Sequence, residues 1–354
     1  MKEEKIPNPD DKGRGISAGT DDARRSGKTA KISAIIALLA GLTLSAALIA
    51  YHSFASVGQA VWRIGWGLAL IVAVHLTAVV SCGIAWRALF RSGWTADTKL
   101  LIILRWVRES VNTLLPVARI GGDIIGVRLL VTRGMDINLA SAGVVADRTV
   151  EVLSQFLFAV AGVFLFVERG SGNDFLPPVI LGLCAIAAVL FIFLAAQRWG
   201  LLRAVEKAVQ KLAGKCGVDR GSGGMSIHET VWAMYGDYRR LAAATFLHTL
   251  GWVLGVVQIR IALYLMGHGT GWTEAFIVES LSQVICTAAF IMPAALGAQE
   301  AAYMVIGGLF GIPAELGLAL SLVKRLGDVF AGIPGLLVWQ GFEGRLLWEL
   351  SRSR

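Results

Sequence analysis

The chain has 354 residues, 55% of them hydrophobic and only 16% charged, with a mean hydropathy of +0.65. That composition excludes an ordinary soluble domain, and the apolar runs reach the ~20 residues a helical membrane span requires. The net charge of +8 invites nucleic acid as a partner, but the basic residues gather where apolar segments end, which is the pattern that orients membrane spans, so nucleic acid is set aside.

Residues 1–30 mix charged, Gly, Ser and Pro residues without apolar periodicity and read as a disordered cytoplasmic tail. The run Ile32 to Tyr51 reads as a first span, with Arg24, Arg25, Lys28 and Lys31 placing the amino terminus in the cytoplasm. After a short loop holding Arg63, a second span runs from about Ile64 to Phe90 and leaves through Arg87 and Arg91. The next pieces, Leu100 to Pro116 and Ile120 to Leu130, carry charges and include Pro116, Gly121 and Gly122. At ~1.5 Å per residue neither reaches the ~30 Å of a bilayer core, which predicts a re-entrant hairpin with its turn at depth.

A third span, Asn138 to Val167, contains Asp147, Arg148 and Glu151, and the i,i+3 spacing of the last two puts them on one face as a pair. The fourth, Leu176 to Ala196, completes a first membrane half over residues 31–197. Residues 198–240 read as a cytoplasmic linker: Leu201, Leu202, Val205, Val209 and Leu212 recur at helical spacing opposite basic residues, and Ser226 to Glu229 has capping-box spacing ahead of a short helix reaching Arg239 and Arg240. A fifth span, Leu241 to Met266, leads to a second hairpin, Ala275 to Pro293 and Ala298 to Phe310, turning near Gly297. The sixth span, Ala314 to Trp339, carries Lys324, Arg325 and Asp328, and residues 343–354 read as a cytoplasmic tail. The expected fold is an all-α polytopic membrane protein with about six full spans and two re-entrant hairpins.

One displacement links the chemically unusual residues. Pro293, Glu300, Arg325 and Asp328 each follow Pro116, Asp123, Arg148 and Glu151 by 177 residues, and Gly311 follows Gly134 likewise. With only eight prolines in the chain, that agreement indicates an internal repeat covering about 64–167 and 241–342. Because the fourth span delivers the second unit in the opposite sense, the units form inverted-topology repeats. Broken helices at matching positions of such repeats usually line a transport pathway near the midplane.

The stretches LLPVARIGGD (114–123), ADRTVE (146–151), PAALGAQE (293–300) and KRLGD (324–328) resemble the membrane region of lysylphosphatidylglycerol synthases and the flippase-like proteins related to it. The PAALGAQE form most resembles the hopanoid-biosynthesis-associated membrane proteins. The resemblance covers about residues 60 to 342 and implies movement of a membrane lipid, hopanoid-type or another polar lipid, in a bacterial inner membrane. The sequence ends twelve residues past Phe342, so the aminoacyl-transfer chemistry of the synthases is not expected here.

Candidate substrate or gating residues are therefore Arg119, Asp123, Arg148, Glu151, Gln299, Glu300, Arg325 and Asp328, because ionised groups inside a membrane are costly and usually mark a pathway. Arg148 with Glu151, and Arg325 with Asp328, are equally readable as structural ion pairs. Arg119, Asp123, Gln299 and Glu300 fit either a headgroup site or helix caps, and the glycines need only a tight turn. His75 and His248 fit either a proton relay or helix-to-helix hydrogen bonds. Four cysteines without CxxC spacing give no disulfide framework or metal site, and no cofactor or Walker A motif is read. Two rival functions stay open: a membrane-embedded enzyme using Asp123 or Glu300 as general base, and a scaffold for lipid-biosynthesis or export proteins docking on 198–240.

Overall fold

The computed structural model describes residues 54–91, 97–115, 120–169, 176–198, 225–288 and 295–352. The amino-terminal tail, the span expected at 32–51, the amphipathic stretch at 201–215, and Pro116, Arg119 and Pro293 lie outside these residues. The described chain is helical, without strands. Its helices are α1 (Phe54–Ile64), α2 (Gly67–Leu89), α3 (Thr98–Leu114), α4 (Gly121–Val131), α5 (Ile137–Glu168), α6 (Leu176–Ala196), α7 (Ile227–Tyr235), α8 (Tyr238–Leu265), α9 (Trp272–Ala288), α10 (Ala298–Gly308) and α11 (Ala314–Arg352). By length and composition α2, α5 and α8 are each able to cross a membrane. Large apolar side chains such as Leu181 and Phe191 on α6 and Phe164 on α5 face outward, as a lipid solvent permits.

Three local expectations need correction. Arg63 is not in a loop but in the last turn of α1, and the break falls at Gly65, whose φ of +47° suits a residue without a Cβ. Arg239 and Arg240 belong to the first turn of α8, because the Asp237 side chain caps that helix by accepting from the Arg240 amide (3.3 Å). The segment at 343–352 is no separate tail: α11 continues through Pro334 to Arg352, and Glu343 on it accepts from Arg128 on α4 (2.8 Å). The expected capping box is present, with Ser226 and Glu229 serving each other at 3.2 and 2.9 Å. The helix it opens packs onto α5 through the buried Ile227, Val231 and Met234.

The 177-residue displacement reappears in the helix boundaries. It carries α4 onto α10 and the start of α5 onto the start of α11. Both short helices end in the same way: Gly134 (φ +85°) and Gly311 (φ +73°) follow them, and Met135 N–H to Leu130 O (3.2 Å) matches Ile312 N–H to Gly307 O (3.1 Å). This is the Schellman closure, which favours glycine at its left-handed position. Contacts obey the same exchange, since α3 packs on α11 and α9 on α5, while α2 and α8 pack on each other.

The α2 and α8 helices run antiparallel. Gly67 lies against Leu265 at one end, Ser81 Oγ donates to Leu247 O (2.8 Å) midway, and Arg240 donates to Phe90 O at the other. The α3–α4 hairpin starts from the Phe90 end, with Ile102 against Gly83. The α9–α10 hairpin starts from the Leu265 end, with Glu279 against Gly255. The two hairpins thus enter the bundle from opposite ends. Arg87, Arg91, Arg239 and Arg240 collect at the first end, while the exposed Trp62, Trp66, Tyr264 and Trp272 ring the second. One apolar cluster, around Trp86, Leu104 and Val150, packs the first hairpin. Another, around Ile259, Ile277 and Leu320, packs the second.

Candidate functional site

Between the two hairpins the helices leave a cavity of about 230 Å³, bordered by side chains from α2, α3, α5, α8, α9, α10 and α11. Its first wall grows from α3. Leu101, Leu104, Arg105, Val107, Arg108 and Val111 share the buried face of this helix, so two arginines enter the interior among aliphatic side chains. Such burial is tolerable only when each guanidinium meets carboxylates in good geometry. Arg108 donates to Asp147 (2.9 Å) and twice to Asp123 Oδ1 (2.8 and 3.0 Å), with its planar group 4.4 Å from the Trp86 ring centroid. Arg105 donates to Asp147 (2.9 Å) and to both Glu151 oxygens (2.8 and 3.2 Å). Arg148 closes the lattice through Asp123 (2.9 Å) and Glu151 (2.7 Å), and His248 on α8 meets the other Asp147 oxygen at 3.0 Å.

The second wall repeats part of this plan. Arg325 donates to Glu300 (2.8 Å), as Arg148 does to Asp123 177 residues earlier, and Glu300 also accepts the Gly297 amide (2.8 Å) at the start of α10. Gly297 holds φ +80° there. Lys324 donates to Glu279 (2.6 Å), which also accepts from Tyr303 (2.7 Å) and Gln283 (3.0 Å).

Arg148 and Glu151 form the expected pair and border the cavity. Gln299 borders it too, donating to Ser321 O (3.3 Å). Asp123 and Glu300 stand behind the wall, engaged by arginines, and Glu300 is almost fully buried. The pairing expected within α11 is redirected. Arg325 reaches across to Glu300 on α10, and Asp328 instead lies 3.6 Å from His75 on α2. Gly121 opens α4, and a Cβ on Gly122 would stand 2.3 Å from the Arg108 carbonyl oxygen, so Gly122 serves the close α3–α4 approach.

Arg105, Arg108 and Glu279 were not among the expected site residues, Asp147 and Lys324 were noted only as charges within spans, and His248, read as either a proton relay or a helix-to-helix hydrogen bond, meets Asp147 on α5. A test built on like residues 177 apart passes over them: the positions following Arg105 and Arg108 are Ser282 and Ile285, and the one preceding Glu279 is Ile102. Their signal is the simpler one of an ionisable residue inside an apolar helix.

Helices with apolar exteriors around an enclosed set of ionised groups define a multi-pass α-helical membrane protein. The family described as the lysylphosphatidylglycerol synthase TM region matches residues 38–335, and the chain belongs to that family. That membership ties it to lipid-related function. No curated protein and no solved structure matches the chain.

Proposed function

We propose that the protein moves a polar lipid between the leaflets of a bacterial inner membrane, as a flippase or lipid transporter rather than an enzyme. The observation that carries this reading is the charged cavity at the meeting point of two hairpins that enter from opposite ends of the bundle. A lipid headgroup crossing a bilayer needs polar partners at depth, and inverted repeats with broken helices supply them from each side in turn. The antiparallel α2 and α8 and the shared Schellman closures support the inverted relation of the units. The basic ends of α2 and α8 support a cytoplasmic position for that face, and with it cytoplasmic termini. Within this reading the α3–α4 and α9–α10 hairpins are the two gates, and Arg148, Glu151, Gln299 and Asp328 meet the headgroup. Hopanoid-type lipids are the narrower substrate assignment, supported by the PAALGAQE resemblance.

The test is reconstitution in liposomes containing tail-labelled phospholipids or a labelled hopanoid, with translocation followed by quenching of the outer leaflet. Wild type should move at least one of them, and the pair Arg148→Ala with Arg325→Ala should slow that movement by at least tenfold, the factor that corresponds to about 1.4 kcal/mol. Equal rates for the two proteins, or recovery of a chemically altered lipid, would overturn the assignment.

A further inference from the structure

The two walls differ at one position in a way that gives the second wall a different task. In the first wall Glu151 is gripped by two guanidinium groups, Arg105 at 2.8 Å and Arg148 at 2.7 Å. Asp328 occupies the same place one repeat later. The counterpart of Arg105 is there a serine, Ser282, whose buried hydroxyl has no hydrogen-bond partner among the described residues. Its counterpart of Arg148, Arg325, is drawn to Glu300. The group left against Asp328 is an imidazole, with His75 Nδ1 at 3.6 Å from its Oδ1.

Histidine is the side chain whose charge ordinarily changes between about pH 5 and 8. His75 and Asp328 both border the central cavity and the smaller one adjoining it, together with Glu109 on α3. Their side chains keep 23% and 32% exposure, whereas Asp147 is sealed. The charged and titratable groups bordering the same cavity are Arg105 and Glu109 from α3, Arg148 and Glu151 from α5, His248 from α8, Lys324 from α11, and Glu279 from α9, which holds Lys324 at 2.6 Å. The pair also joins α2 of one repeat unit to α11 of the other. Its protonation state therefore acts on the attraction between the units.

We propose that His75 and Asp328 form an exchangeable proton site, and that proton entry from the cavity and release to the other side drives the exchange of outward and inward states. The proton is taken up and released unchanged in number, and no bond of the lipid is altered. The coupling rests on the transport reading given above; the proton site does not.

Both are decided with the full chain in liposomes. Infrared difference spectra recorded across a pH series should show a histidine and a carboxyl group changing protonation together. His75→Gln and Asp328→Asn should each remove that coupled signal, and Glu151→Gln should keep it. Should Asp328→Asn not fold, Asp328→Glu should shift the midpoint while His75→Gln still abolishes the coupling. In the same liposomes carrying tail-labelled phosphatidylglycerol and phosphatidylethanolamine, a gradient of about one pH unit, a tenfold ratio of protons, should change the wild-type translocation rate severalfold and leave His75→Gln unaffected. A spectrum without coupled titration overturns the proton site. Titration with translocation indifferent to the gradient overturns the coupling. Titration without any lipid movement keeps the proton site and overturns the transport reading instead.

Discussion

Neutralising Asp147 tests whether the first wall is held by charge balance. The three guanidinium groups of Arg105, Arg108 and Arg148 face the carboxylates of Asp123, Asp147 and Glu151, with Glu109 more distant at 3.5 Å from Arg105. Asp147→Asn keeps the shape but removes the anion shared by Arg105 and Arg108, both at 2.9 Å, and leaves an excess positive charge in a sealed site. Each contact is worth about 4 kcal/mol by Coulomb attraction at an effective dielectric of ~20, offset in part by the carboxylate's own desolvation. A net loss of about 3–5 kcal/mol follows, as is typical when one member of a buried ion pair is removed. Unfolding of the purified protein in mixed micelles by denaturing detergent reads this loss directly. Adding Arg108→Gln to Asp147→Asn restores neutrality and should recover about 1–3 kcal/mol relative to the sum of the single changes. A cost below about 1 kcal/mol for Asp147→Asn, with additive behaviour in the double variant, would refute the charge-balance account.

Gly122→Ala should destabilise by about 1–3 kcal/mol in the same unfolding assay, because its Cβ would meet the Arg108 carbonyl oxygen at 2.3 Å and backbone must shift; Gly344→Ala, inside α11 with open space around it, should cost nothing and gain up to about 1 kcal/mol of helix propensity. Tyr235 stands outside the membrane-spanning helices, within hydrogen-bond reach of Thr149 (2.7 Å) and Gln197 (2.9 Å), and burial pushes its phenol up to about 12. The folded protein thus favours the neutral phenol. The stability this supplies is full below the unfolded value of about 10 and is lost as pH rises through about 12, so Tyr235→Phe should cost about 1 kcal/mol at neutral pH and flatten the alkaline decline measured by unfolding. In a cysteine-free background, single cysteines replacing the exposed Arg133 and Gly308, at the outer ends of α4 and α10, should react with impermeant maleimide from opposite sides of the membrane. Labelling of both from one side would contradict the inverted arrangement.

Helix positions were readable because apolar runs, prolines and caps are local signals. The bounds of α6 coincide with those expected, and those of α4 and α5 fall within a residue or so. The breaks at Gly65 and Asp237 were less visible, since each depends on one residue's backbone or side chain overriding a continuous apolar pattern. For the site, the 177-residue displacement picked out Asp123, Arg148, Glu300 and Arg325, and the pairings that join them are long-range contacts between α4 and α5 and between α10 and α11. Sequence spacing finds neighbours on one helix, which is why the Arg148 and Glu151 pair was legible and the Asp328 and His75 approach was not. Arg105 and Arg108 were passed over for the reason that makes them informative: the positions 177 residues on carry no charge.

The matched glycine closures at Gly134 and Gly311 carry a practical consequence. A chain holding two copies of one turn supplies its own control, since a side chain added at either glycine meets the same left-handed strain in open space. A difference between the two substitutions would then report what each half does, with the shared cost of the turn subtracted out.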